Sequence, residues 1–226
     1  GGVNDIVGRQ WAEKVKGVLG NVYVENHGGG GGTIGVMEAK RQDADGYTVL
    51  FGSASTMVLN EMTRTKLHYD PRKDFVPIAV FCVTTASIAV NAAVPANPGK
   101  LTIGSAGTGT MSHLTAELFK MKTGLKDVTH VPYKGAGPGM ADLVSGHIPI
   151  MSPNISKQVL NFHDGNKIRV LAVAAPKRLK GAPQVPTGIE QGVPDFVGQL
   201  FLGIFVRTGT PQVAIDKITE ATKAAM

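Results

Sequence analysis

The sequence predicts an α/β fold with largely parallel sheets, and two observations carry that prediction. Apolar runs of strand length alternate with segments of helical period. Glycine- or serine-rich stretches stand where several strands hand over to helices. The strand candidates are 21–26 (NVYVEN), 47–53 (YTVLFGS), 75–83 (FVPIAVFCV), 87–92 (SIAVNA) and 101–106 (LTIGSA). Four more follow at 128–133 (VTHVPY), 148–152 (IPIMS), 168–175 (IRVLAVAA) and 201–206 (FLGIFV).

The helices follow from apolar spacing. Val7, Trp11, Val15 and Val18 share one face of a first helix, and Met111, Leu114, Leu118 and Met121 share a face of a second, which Gly124 is placed to stop. Shorter helices are predicted around TIGVMEAKR and over 137–146, and VAIDKITEATKAAM reads as a last one. One spacing constrains the topology. Only the eight residues 93–100 (AVPANPGK) separate strand 87–92 from strand 101–106. A parallel crossover needs about a dozen or more, so either these strands are not parallel neighbours or a connecting segment is absent. The opening GGVND has no strand before it and Met226 falls within a helical pattern, as expected of a partial chain.

Composition narrows the function. At 226 residues there is room for one large domain or two small ones, and 42% hydrophobic residues suffice for a packed core. The net charge of +6 is scattered, with PKRLK at 176–180 the nearest approach to a run. Nucleic-acid binding usually shows a clustered basic face, so none is expected. The single cysteine, Cys82, lies in an apolar run and reads as a buried, inert thiol. No apolar run reaches the roughly 18 residues of a membrane span. No signal peptide is present either, although a mature secreted chain would not retain one.

Three loops invite an anion: GGVND at 1–5, GSASTM at 52–57 and GSAGTGTMSH at 104–113. A helix N-terminus leaves backbone N–H groups unpaired and carries partial positive charge. Glycine lets an anion approach closely, and serine or threonine hydroxyls add donors. A phosphate is poorly matched, because GTGTMS has Ser112 where a dinucleotide fingerprint needs its last glycine and no P-loop motif occurs. For an α/β hydrolase, HGGG at 27–30 resembles an oxyanion stretch, but no G-x-S-x-G supplies a nucleophile. His27, His113, His130, His147 and His163 show no metal-binding spacing, and His113 reads as a packed or hydrogen-bonded residue. A carboxylate needs only donors, with no nucleophile, base, metal or cofactor.

Read in order, GGVNDIVGRQWAEKV, NVYVENHGGGGGTIGVMEAKRQDADGYTVLFGS, YDPRKDFVPIAV, GKLTIGSAGTGTMSHLTAELF, VTHVPYKGAGPGMADLVSGHI and VRTGTP resemble the tripartite tricarboxylate transporter substrate-binding proteins, the Bug family. The resemblance implies a non-enzymatic periplasmic binding protein, expected as a monomer, of type II two-lobe architecture hinged by crossing strands. Its implied lobes are 1–92 plus 206–226, and 93–205. It implies an organic acid clasped between the lobes and passed to the membrane subunits of the transporter. Carried over residue by residue, it assigns one carboxylate to Gly2, Val3, Asn4 and Asp5. The other falls to Ser105, Ala106, Gly107, Thr108, Gly109, Thr110 and Ser112. Ser53 and Ser55 are expected on the floor, Asn154 on the far wall, and Phe201 where the family often has tryptophan. Where many members carry an Asp-Asn pair, this chain reads Ser152, Pro153, Asn154, which argues against an amino-acid ligand. The family also implies a strand before GGVND, a helical segment where the chain reads VPANPGK, and a further C-terminal stretch.

Overall fold

The computed structural model describes residues 2–94 and 101–226. In chain order the helices are α1 (Val3–Leu19), α2 (Thr33–Arg41), α3 (Asn60–Thr63), α4 (Pro71–Asp74), α5 (Met111–Thr123), α6 (Ala136–Ser145), α7 (Lys157–Asp164) and α8 (Gln212–Ala225). The strands are β1 (Leu50–Ser53), β2 (Phe75–Thr85), β3 (Ser87–Asn91), β4 (Thr102–Ser105), β5 (Thr129–Pro132), β6 (Ile150–Met151), β7 (Ile168–Val173) and β8 (Gln199–Arg207). The chain folds as two compact units, one of Gly1–Val83 with Phe201–Met226 and one of Thr84–Leu200. It leaves the first unit within β2 and returns within β8, so two strands carry the crossings.

The first unit is built on a three-stranded sheet ordered β1-β8-β2, with β1 antiparallel to β8 (Leu50 opposite Phe205, Ser53 opposite Leu202). Helices α1 and α8 cover it through Trp11, Val15, Ile204, Val206, Ile218 and Ala221. Trp11 is 2% exposed; its indole N–H donates to Thr222 Oγ1 at 3.0 Å and its ring meets Phe51 edge-on at 5.4 Å between centroids. Burying so large a ring is favourable only because the polar edge finds a partner.

Residues 21–26, predicted as a strand, are not one. Val22 and Val24 turn inward while Tyr23 is 86% exposed, which is the alternation of a strand. Yet no backbone hydrogen bond pairs this segment among the described residues. Alternation reports a half-buried extended segment, and a ladder also requires a neighbouring edge. A depression of about 1010 Å³ runs between this segment and residues 45–51, floored by Trp11, Phe51 and Ile218.

The second unit carries a five-stranded sheet ordered β5-β4-β6-β3-β7. β4 is parallel to β5 and to β6, whereas β3 is antiparallel to β6 and β7. The sheet is therefore mixed, and the expectation of parallel pairing holds only around β4. β6 lies between β3 and β4, so those two strands are not neighbours and the short connection need not make a crossover. The expected helical segment at 95–100 lies outside the described residues. Because β3 is laddered to β6 and β7, it belongs to the second unit, not to a first lobe extending to residue 92. For the same reason Phe201 to Phe205 stay with the first unit, through β1. Alternate residues of the central strands feed opposite faces: Ile88, Val90 and Ile150 join Ile103, Ala116 and Phe196, while Ala89 and Met151 join Leu143, Ile148, Ile168 and Val170.

The second long helix, α5, starts and stops as predicted, with Gly124 left-handed at φ 72°. Its face is rotated from the prediction. Met121 is 70% exposed, and the fully buried positions are Ser112, Thr115 and Ala116. No helix among the described residues is long and apolar enough to cross a membrane.

Candidate functional site

In the first unit, the 17-residue α1 starts directly at Gly2, whose φ of 90° and ψ of −172° suit only glycine. The first intrahelical bond runs from Ile6 N–H to the Gly2 carbonyl at 3.1 Å, and no side chain caps the helix. The amides of Val3 and Asn4 have no hydrogen-bond partner among the described residues. Two N–H donors thus stand at the positive end of a long helix. The side chain of Asp5, a residue expected at the ligand through its place in the helix entry, is engaged within the first unit. Its carboxylate accepts from Asn26 Nδ2 at 2.6 Å and from Arg9 Nε at 2.8 Å. The Asn26 hydrogen bond, with the Arg9 charge, outweighs partial burial and holds this carboxyl below the usual range. Asp5 is a brace for the helix entry, and Arg9 offsets its negative charge. The 1010 Å³ depression reaches Asn4 and Asp5, but much of its lining comes from the unladdered 21–27 segment and from residues 45–51, which lead into β1.

Ser53 and Ser55 are both buried, at 5% and 7% exposure. Ser53 N–H donates to Thr56 Oγ1 at 2.9 Å and Thr56 Oγ1 donates back to the Ser53 carbonyl at 3.1 Å. Tyr69 OH in turn donates to the Thr56 carbonyl, so the turn after β1 is held from both sides. Phe201, on β8, packs against the cluster of Val36, Met57, Tyr69, Phe75 and Phe205. In the HGGG stretch the Gly30 carbonyl accepts from Arg64 and from Thr33 Oγ1, Gly32 N–H donates to the Gly29 carbonyl at 2.9 Å, and the chain leads into α2. Cys82 is only partly buried, and burial pushes its thiol up, away from a nucleophilic thiolate.

In the second unit, the loop between β4 and α5 is closed on itself. Gly107 and Gly109 hold φ of 132° and 79°, which makes their glycines necessary. Almost every loop amide is already used. Ala106 N–H donates to Ser112 Oγ at 3.0 Å, Gly107 N–H to Ser105 Oγ at 3.2 Å, Gly109 N–H to His113 Nδ1 at 3.1 Å and Thr110 N–H to the Gly107 carbonyl at 3.3 Å. Thr110 caps α5, accepting from His113 N–H at 3.3 Å while donating to the Gly107 carbonyl at 2.7 Å. Ser112, 2% exposed, also donates to the Ser152 carbonyl and so ties the loop to the end of β6. The amides of Thr108 and Ser112 alone keep no partner in this loop among the described residues, Met111 being otherwise engaged.

The expectation that the whole stretch 105–112 offers donors is thereby narrowed to Thr108 and Ser112, while Ser105, Ala106, Gly107, Gly109 and Thr110 shape the loop. Among the described residues of the second unit, three buried polar side-chain atoms have no partner: Ser152 Oγ, in the residue whose carbonyl accepts from Ser112, Thr115 Oγ1 on α5, and Asn154 Oδ1. Such atoms are costly unless something bonds to them. Of these the sequence reading singles out Asn154 alone, because a lone serine after a strand or a lone threonine within a helix carries no motif.

Sequence reasoning also left His113 and His130 apart. Their rings stack at 4.1 Å between centroids and 26° between planes, and His130 Nε2 sits 2.7 Å from Ser105 Oγ. Burial lowers the pKa of both imidazoles, more than Glu117 raises it, and for His130 the neighbouring His113 lowers it further. No spacing rule links positions 113 and 130; the parallel pairing of β4 with β5 brings them together.

Residues 7–226 match the family described as the tripartite tricarboxylate transporter family receptor, TctC. Protein BugT of Bordetella pertussis is 30% identical over 230 residues, which cover 95% of this chain and 70% of BugT. A solved structure of a periplasmic transporter is 39% identical, with a TM-score of 0.91 over 99% of this chain and 79% of that one. MatC of Rhodopseudomonas palustris, solved with bound malate, is 28% identical, with a TM-score of 0.91 over 100% of this chain and 80% of its own. R. palustris Rpa4515, solved with adipate, is 29% identical, with a TM-score of 0.90 over 99% and 78%. The fold is thus that of periplasmic binding proteins, the matching family is one of receptors, not enzymes, and the chain belongs to the tripartite tricarboxylate transporter receptor family.

Proposed function

We propose that the protein is a periplasmic receptor for a small di- or tricarboxylate of four to six carbons, such as malate or adipate. It acts as a monomer and delivers the acid to the membrane subunits of a tripartite transporter. One observation carries the reading. In each unit a long helix opens at a glycine-bearing loop whose amides include two without a partner among the described residues, Val3 and Asn4 in one, Thr108 and Ser112 in the other. One carboxylate takes the first pair and the other takes the second, with Ser53, Ser55, Asn154 and Phe201 completing the surroundings. Hydrogen bonds to a charged group contribute about 1.5–3 kcal/mol each. Four of them total about 6–12 kcal/mol, which brackets the roughly 8 kcal/mol of a micromolar complex, so further contacts from the surrounding side chains are needed to offset the costs of ordering. Malate and adipate bound to the two R. palustris relatives support the ligand class.

A thermal-shift and calorimetry panel of malate, succinate, adipate, citrate and an acidic amino acid tests the reading. At about 100 times its dissociation constant the true ligand stabilises the fold by roughly 2.7 kcal/mol. A panel in which no acid moves the transition contradicts it.

A further inference from the structure

The histidine pair beside the second loop has a role that the carboxylate site alone does not explain. His113 Nδ1 accepts the Gly109 N–H at 3.1 Å, so that nitrogen carries a lone pair and the neutral ring bears its proton on Nε2. His130 Nε2 faces Ser105 Oγ at 2.7 Å, and the same oxygen accepts Gly107 N–H at 3.2 Å. In the neutral tautomer that carries its proton on Nδ1, His130 accepts from the Ser105 hydroxyl, whose oxygen holds Gly107. Gly109 is therefore fixed directly by an imidazole lone pair, and Gly107 through the Ser105–His130 hydrogen bond.

The groups acting on the pair are few. On α5, Glu117 Oε1 lies 3.8 Å from His113 Nε2, and Lys120 Nζ engages both Glu117 oxygens at 3.1 and 3.0 Å. Glu117 is thus shared, and it offsets an imidazolium only in part. The rings themselves, stacked at 4.1 Å, repel one another if both are charged. His113, Glu117 and His130 could in composition hold a metal ion, their candidate ligand atoms lying within 4.8 Å of one another. However, near-parallel rings do not converge their lone pairs on one point, and Gly109 and Ser105 already occupy one nitrogen of each.

We propose that His113, seated against a neutral His130, is the positioning residue of the glycine loop: its Nδ1 fixes the Gly109 amide, and protonation of that nitrogen releases the loop and weakens acid binding. The inference rests on the carboxylate reading above for its effect on binding, but the clamp itself does not. A proton on Nδ1 sets one donor against another at Gly109, and the loop that presents the Thr108 and Ser112 amides loses its fixed shape. The sign is diagnostic. If His113 served the ligand as a charge, acidification would tighten binding. As a clamp, acidification loosens it.

The test has a ligand-free arm and a ligand arm, both on the full chain. By NMR, the protection of the Gly109 amide against hydrogen exchange, corrected for intrinsic exchange, falls several-fold as His113 takes up a proton on acidification from pH 8 to pH 5. His113→Asn, which offers Oδ1 near the position of Nδ1 without titrating, keeps the protection at both ends; His113→Leu lacks it at both. Equal protection in His113→Asn and His113→Leu, or an acid loss retained in His113→Asn, overturns the clamp even if no ligand is found.

In calorimetry, malate binding to the unmodified protein weakens by a few-fold from pH 8 to pH 5.5, because the lowered His113 pKa leaves the ring only partly protonated there. His113→Leu loses a similar factor at pH 8, and His113→Asn restores most of it and flattens the pH profile. Malate's own titration is common to all three and cancels in the comparison. Tightening on acidification overturns the proposal, as does micromolar zinc binding that is lost in His113→Asn. Failure of every acid to bind at pH 8 while the amide arm succeeds overturns the carboxylate reading and leaves the clamp standing.

Discussion

The two helix entries proposed to receive the acid are built by opposite means. α1 is open: Gly2 sets the turn, no side chain caps the helix, and Val3 and Asn4 present amides without a partner among the described residues beside a braced Asp5. α5 is closed: Thr110 caps it, and Ser105, Ser112 and His113 consume the amides of Gly107, Ala106 and Gly109, sparing those of Thr108 and Ser112. The first entry depends on backbone and charge, the second on a network of buried side chains. The same ligand chemistry therefore tolerates very different substitutions in the two places.

The largest effect is expected where the closed loop is tied down. Ser112→Ala removes the acceptor of Ala106 N–H and the donor to the Ser152 carbonyl, stranding polar groups at a 2% exposed position. It should lower the unfolding free energy by about 2–3 kcal/mol in urea titrations. A loss below about 1 kcal/mol would show that the network is not what holds the loop. Gly109→Ala comes next. At φ 79° an L-residue costs about 1–2 kcal/mol, and the strain falls on the loop that carries Thr108, so malate affinity should drop with stability. Unchanged affinity would break the link between loop shape and binding.

The open entry should respond in the opposite sense. Asp5→Asn removes a negative charge from the first turn of α1, so acid binding should tighten by roughly two- to fivefold in calorimetry. Stability should fall by only about 0.5 kcal/mol, because Arg9 is largely exposed and the pair is screened by solvent. The pH sign is fixed by the lowered carboxyl. Its contribution is present above the unfolded value near 3.8 and is lost as the pH falls through the still lower folded value. Denaturation curves of Asp5→Asn and the unmodified protein should therefore converge only in strong acid. Weaker malate binding in Asp5→Asn would make Asp5 a ligand contact after all.

The contrast also explains what the sequence disclosed. Glycine-bearing helix entries are local, so GGVND and SAGTGT were legible, as were α1, α5 with its Gly124 stop, and the strands whose apolar runs are continuous. Residues 21–26 misled because Val22 and Val24 alternate with Tyr23 without a ladder partner. α5 misled in register because its innermost positions are Ser112, Thr115 and Ala116, polar or small residues that an apolar template passes over. The unit boundary misplaced β3 because pairing with β6 and β7 is non-local. His113 with His130, and Ser112 with Ser152, lie 17 and 40 residues apart and meet only after the sheet assembles. Which loop amides remain available was likewise invisible, since it depends on what each side chain accepts.

The central claim is that four particular amides receive the acid. Amide hydrogen exchange by NMR, with and without saturating malate, measures it directly. The account predicts new protection at Val3, Asn4, Thr108 and Ser112 together, with Gly107 and Gly109 little changed because they are already bonded. Protection confined to one loop, or appearing first at Gly107 and Gly109, would contradict it.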